Sequence, residues 1–199
     1  MATFYLANPQ VQESIEKVQS QERRRVLSLW SDILSAEFPA NDGWFVGFTN
    51  GGGLPYNVVH LRRQWDHSVN ILAIRRYLLV FALPHDSYDF GRHRKFGDDA
   101  REAILQLMTL TYHDWISDFH ITIAAASEFV VEFWEWTGRQ FGRPDLKRLT
   151  IEDKVEGTDI FGPLHIIDDA EKVHRMIQYV KERAESNVDT DGIDMYMVH

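Results

Sequence analysis

The hydrophobic period of this chain changes near Asp98, and that change limits its fold more than any other feature. Between Trp44 and Leu83 the apolar residues come in short runs: Trp44-Phe45-Val46-Gly47-Phe48, Asn57-Val58-Val59-His60-Leu61, Val69-Asn70-Ile71-Leu72-Ala73-Ile74 and Tyr77-Leu78-Leu79-Val80-Phe81-Ala82-Leu83. Gly51-Gly52-Gly53 and Pro84-His85-Asp86 punctuate them. Runs of this length between turn formers read as consecutive antiparallel strands. From Asp98 the spacing becomes helical, with Ala100, Ile104, Leu107, Met108 and Trp115 on one side. Ahead of the strands, Val11, Ile15, Val18, Val26, Leu29, Trp30, Ile33 and Leu34 predict one long or broken amphipathic helix, ending before Pro39.

The segment from Ile121 to Phe141 opens apolar and then carries Phe129, Phe133 and Trp136 at i, i+4 and i+7, so residues 119–141 read as a nearly buried central helix. Asp168-Asp169 open a last helix through Val173, Ile177 and Val180. After Ser186 the chain is polar and acidic, which reads as a flexible tail over 187–199. The expected architecture is α+β, a single domain over residues 1–186. It has an early helix and an N-terminal antiparallel or mixed sheet, followed by a mainly helical half around the buried central helix.

A chain of 199 residues, 44% of them hydrophobic, is long enough for one substantial core. With 21 Lys plus Arg against 30 Asp plus Glu the formal charge is −9, so any contact with nucleic acid has to be local. No apolar run approaches the roughly 20 residues of a membrane span, and no basic stretch precedes an apolar one at the start. The absence of cysteine excludes disulfides, thiolate metal sites and cysteine nucleophiles. The expectation is a cytoplasmic protein with no membrane contact; the oligomeric state is not legible.

Four groups of residues carry candidate chemistry. Glu128, Glu132 and Glu135 fall at i, i+4 and i+7, so a helix would put all three on one face, either a solvated face or the wall of a cleft with a working carboxylate. His113, Asp114, Asp118 and His120 include metal-ligand types, but the helical positions diverge and no H-E-x-x-H motif is present, so no metal is expected. Asp189-Thr190-Asp191-Gly192-Ile193-Asp194 resembles a calcium loop loosely and lacks its downstream Glu. Arg92-His93-Arg94-Lys95, ahead of Phe96, is the densest basic segment, and with Arg62-Arg63 and Arg75-Arg76 it is either a set of solvated pairs or a local patch able to hold phosphates.

Leu72-Ala73-Ile74-Arg75-Arg76-Tyr77-Leu78-Leu79-Val80-Phe81, followed by His85-Asp86-Ser87-Tyr88-Asp89-Phe90-Gly91, resembles the paired strands of ribosome-inactivating proteins, particularly the cereal type, where L-A-I-R leads into Y-L-V-G-F and then W-Y-E-F. The order of Lys95-Phe96-Gly97-Asp98-Asp99, Arg101-Glu102-Ala103-Ile104 and Ile121-Thr122-Ile123-Ala124-Ala125-Ala126-Ser127-Glu128 is similar too, the last stretch matching the family's S-E-A-A-R-F helix. The resemblance covers about residues 3 to 180. Val131 stands where that motif has arginine, and Val155, after Ile151-Glu152-Asp153-Lys154, where the family has tryptophan.

The resemblance implies an rRNA N-glycosidase, a hydrolase without cofactor or metal, that removes one adenine from large-subunit ribosomal RNA on the ribosome. The resemblance also implies a toxin that inhibits protein synthesis in plant defense. Tyr77 would stack on the flipped base and Phe96 offers a second aromatic face. Glu128 would stabilise the positive ribose, and Arg92, Arg94 and Lys95 would hold phosphates. Val131 cannot donate to the leaving base, which implies reduced activity, and Arg139 is too far along a straight helix to replace the arginine. The alternatives are a noncatalytic binding or regulatory module of the same fold, and an unrelated small-molecule enzyme using the Glu128, Glu132 and Glu135 face with a histidine.

Overall fold

A computed structural model describes residues 5–20, 25–49, 58–63, 76–83, 93–111, 120–137, 145–153 and 158–194. Helix α1 (Pro9–Gln19) starts where its sequence says it should: the Asn8 side chain accepts from the Gln10 N–H at 2.9 Å, and Pro9 occupies the first turn, where its missing N–H costs nothing. Helix α2 (Val26–Glu37) follows. The early helical stretch is therefore broken in two. Ser14 of α1 donates to Asp32 of α2 at 2.5 Å, and Gln10 donates to the same carboxylate, locking the pair together.

Strands β1 (Trp44–Thr49), β2 (Val58–Arg63) and β3 (Arg76–Ala82) are consecutive antiparallel neighbours, as their period predicts. The run at 69–74 lies outside the described residues. Helix α3 (His93–Thr111) begins earlier than the expected Asp98. It carries the chain to β4 (His120–Ser127), which pairs with β3 in parallel. This crossover makes the sheet mixed.

The largest correction concerns residues 119–141. They form no central helix: β4 turns directly into β5 (Val130–Thr137), and the two pair antiparallel from His120↔Thr137 to Ser127↔Val130. The physical reason is burial on both faces. Val131 and Phe133 pack toward α1, α2 and α4, while Val130 and Trp134 pack toward α3. A strand covered on both sides loses its polar alternation and reads as a continuous apolar run, and β-branched Ile121, Thr122, Ile123, Val130 and Val131 favour the extended form.

Strands β6 (Asp145–Arg148) and β9 (Leu164–His165) both pair with β5, completing a seven-stranded sheet in the order β1-β2-β3-β4-β5-β6 with β9 beside β5. β7 (Ile151–Asp153) and β8 (Thr158–Ile160) form a separate ribbon. Helix α4 (Ala170–Asp194) starts just after Asp168-Asp169, as expected, but runs beyond Ser186 through residues read as a tail.

The helices sit on both faces of the sheet. Val11, Ile15, Leu29, Trp30, Ile33, Val173 and Ile177 bury one face with Val59, Leu61, Val80, Ala124 and Phe133. Trp30 meets Phe133 edge-on, ring centres 6.2 Å apart. Phe96, Ala100, Ile104 and Met108 of α3 cover the other with Leu79, Phe81, Ile123 and Trp134. Within the first helical layer Glu37 ties α2 to α4 and to the chain start: its Oε1 accepts from the Tyr5 N–H at 3.1 Å and contacts His174 Nδ1 at 3.0 Å, and its Oε2 accepts from Gln178 at 3.0 Å. The Tyr5 hydroxyl donates to the Ile166 carbonyl at 2.5 Å, and burial raises its pKa above the ordinary tyrosine value. The fold is thus α+β in composition, with helices on both sides of a mixed sheet rather than a sheet followed by a helical half. Among the described residues no helix is long and apolar enough to cross a membrane.

Candidate functional site

Tyr77 and Glu128, which the resemblance would bring to one cleft, do not converge. Tyr77 lies at the start of β3, and since Leu78 pairs with Thr122, it is level with Ile121 on β4. Glu128 is seven residues farther along, beyond the opposite end of that strand. At about 3.3 Å per residue the two backbones are separated by about 23 Å along the sheet, too far to bracket one purine. Glu128 is half-buried in the two-residue turn between β4 and β5 with φ of 50°, a conformation that favours glycine and that hairpin turns demand. Phe96 is 0% exposed. Its ring lies in the core under α3 and offers no face to a base.

The carboxylate stripe is not on one face either. On β5, Glu132 and Glu135 point to opposite sides, because strand side chains alternate. Glu135 accepts from Tyr179 at 3.4 Å and pairs with Arg183, fastening α4 to the sheet. Val131 is fully buried on that same side of the sheet. His113, Asp114, Asp118, Arg139 and Val155 lie outside the described residues, as does Arg92. His120 falls on β4 and the acidic 189–194 segment on α4. Among the described residues no cluster of three metal-capable side chains exists.

What the fold does assemble is a cluster that sequence spacing concealed. Glu132 is 0% exposed, on the α3 side of β5 between Val130 and Trp134. Arg148, its side chain 43% exposed, reaches in from β6 and places Nε 2.8 Å from Glu132 Oε1. The guanidinium carbon stands 5.4 Å from the centre of the Trp134 ring, within cation–π range. Gly97 of α3 makes the approach possible: a Cβ there would overlap Arg148 Nη2 and lie 3.3 Å from Glu132 Oε2. The Glu132 pKa is raised from 4.5 to about 7. Burial is the dominant cause, opposed by Arg148 and by the Trp134 indole, and the charge on Asp98 adds to the rise. A carboxyl poised near neutrality exchanges a proton at ordinary pH.

This cluster sits one turn inside the start of α3, close to where the parallel strands β3 and β4 end, since Glu132 pairs with Ala125 near the end of β4. In open sheets with parallel neighbours, ligands bind outside the carboxyl ends of the strands. His93, Arg94 and Lys95 are the first described residues of α3. Two of the sequence's basic candidates, Arg94 and Lys95, are consecutive with Phe96 and Gly97 and so fall at this position. A glycine one turn into a helix, followed by Asp98-Asp99, was the only sequence sign of the Glu132–Arg148 contact.

No model of a known protein family matches the chain, and a search of curated proteins finds no match.

Proposed function

We propose that the chain is a noncatalytic module that binds RNA locally through phosphates at the first turn of α3. The observation that carries this reading is the position of α3: its first described residues, His93-Arg94-Lys95, come one turn before Gly97, which lies against Glu132 and Arg148 near the carboxyl ends of the parallel strands β3 and β4. Basic residues there give a sequence-independent grip on phosphate. Arg148, half-exposed beside Gly97, extends the positive charge toward β6. A net charge of −9 restricts contact to this patch. The separation of Tyr77 from Glu128 and the burial of Phe96 favour binding without base removal over the glycosidase reading.

The test is titration of a fluorescein-labelled single-stranded RNA dodecamer at several salt concentrations. Binding should weaken with salt, with a slope of about two to three phosphates' worth, and the double variant Arg94→Ala/Lys95→Ala should weaken it at least tenfold and flatten that slope. Salt-independent or absent binding refutes the reading. In parallel, intact ribosomes incubated with the protein and treated with amine should give no defined rRNA fragment. A fragment that disappears in Glu128→Ala would restore the glycosidase.

A further inference from the structure

We propose that Glu132 is a proton-controlled catch on Arg148, holding the guanidinium inside the protein when ionised and releasing it to the phosphate-binding turn of α3 when neutral. This deepens the phosphate-binding reading above and rests on it for the ligand, but not for the catch itself.

The geometry sets up the competition. Among the described residues Arg148 has one buried anionic partner, Glu132, whose Oε1 lies 2.8 Å from Nε, and its own side chain is 43% exposed, so the guanidinium spans the core and the solvent. The far end of the arginine is seated against the bare backbone of Gly97, one turn from Arg94 and Lys95. A phosphate arriving at that turn would compete with Glu132 for the same donors, since both are acceptors suited to a guanidinium. With Glu132 neutral, the charge attraction holding Arg148 inward is gone and the anion meets an uncompensated cation. With Glu132 ionised, the arginine is already neutralised and a buried negative charge stands behind it.

Among the described residues, the charged groups facing Glu132 are few. On β6 the group is Arg148, and on α3 it is Asp98. β4 presents Ala125 as its pairing partner, and on β5 the neighbouring groups on that face are Val130 and the Trp134 indole. Lys147 pairs across from Glu135, whose side chain is on the other face. No second cation on these described residues would keep Glu132 ionised once Arg148 turns outward. Release and proton uptake therefore reinforce one another, and burial already moves the carboxyl into the range where this happens near neutral pH.

The experiment reads the catch with and without RNA, at fixed ionic strength. In the free protein, the Arg148 Nε–H resonance, assigned by its loss in Arg148→Met, should shift between pH 8 and pH 6 in the wild type. In Glu132→Gln it should stay at the pH 6 position throughout. A resonance that does not move in the wild type overturns the catch, whatever the RNA does. With the labelled dodecamer, wild-type affinity should rise about tenfold from pH 8 to pH 6. Glu132→Gln should bind at pH 8 as tightly as the wild type does at pH 6, and Arg148→Met should bind weakly at both. Gly97→Ala, which suits a helix and whose Cβ displaces the end of Arg148 while crowding Glu132 Oε2, should behave like Glu132→Gln in the binding assay. No RNA binding at any pH, with the Arg148 resonance still titrating, refutes the phosphate-binding reading and leaves the catch standing. A tenfold pH dependence that persists in Glu132→Gln assigns it to the histidines and overturns the catch as the regulator.

Discussion

Replacing Glu132 with glutamine should stabilise the protein above neutral pH and do almost nothing at pH 5. The wild-type carboxyl is held at about 7 against an ordinary 4.5. At about 1.4 kcal/mol for each tenfold change in proton affinity, burying the charged form costs about 3 kcal/mol. Because the folded pKa lies above the unfolded one, this group's contribution to stability is complete below about 4.5 and is lost as pH rises through about 7. The side chain is 0% exposed, so water screens little of that cost. Glutamine keeps the shape, removes the charge at every pH and leaves one amide to satisfy. Urea unfolding at pH 5, 6, 7 and 8 should therefore show the two proteins within about 1 kcal/mol at pH 5 and Glu132→Gln ahead by about 2–3 kcal/mol at pH 8. Nine histidines and the other carboxylates also titrate, but they are common to both proteins and cancel in the difference. Parallel pH profiles would show that Glu132 is not neutral in the folded protein at pH 5–6, and the energetic basis of the cluster would fall with them.

Glu128→Gly should raise stability by about 1 kcal/mol, measured by thermal or urea unfolding, because the residue sits at φ 50° in the β4–β5 turn where only glycine is unstrained; a loss would show that its side chain matters more than its backbone. Glu37→Ala should cost about 3 kcal/mol in urea unfolding, since it removes the acceptor of the Tyr5 N–H and of Gln178 and a contact of His174 at once, and a cost below about 1 kcal/mol would show that the network is not holding α2 to α4. Asp32→Ala should cost about 1–2 kcal/mol by the same assay, through loss of the Ser14 and Gln10 bonds that join α1 to α2.

The antiparallel strands β1 to β3 were legible because short apolar runs lay between turn formers, and α1 was legible down to its cap, because Asn8-Pro9 satisfies the helix start by local chemistry alone. The β4–β5 hairpin was not. Its turn is Glu128-Phe129 rather than the glycine or asparagine pair that marks hairpins, and Ala124-Ala125-Ala126 suits a helix as well as a strand buried on both faces. The site is affected in turn, because three glutamates spaced for one helix face lie in a turn and on two opposite sides of a strand.

The strand also explains why sequence spacing hides the buried carboxylate. On a helix, Glu132 is the middle member of a solvated stripe. On β5, the same residue falls between Val130 and Trp134 in an apolar layer, where an ionisable side chain survives only with a partner. The partner comes from β6 and the room for it from a glycine on α3, elements brought together by pairing and crossover rather than by sequence spacing. The strand assignment therefore does more than relocate Glu132: it converts an ordinary surface acid into one whose charge the fold opposes. A charge opposed by the fold and answered by one half-exposed arginine is a two-state element, since a single proton decides whether the arginine's best partner lies inside the protein or outside it.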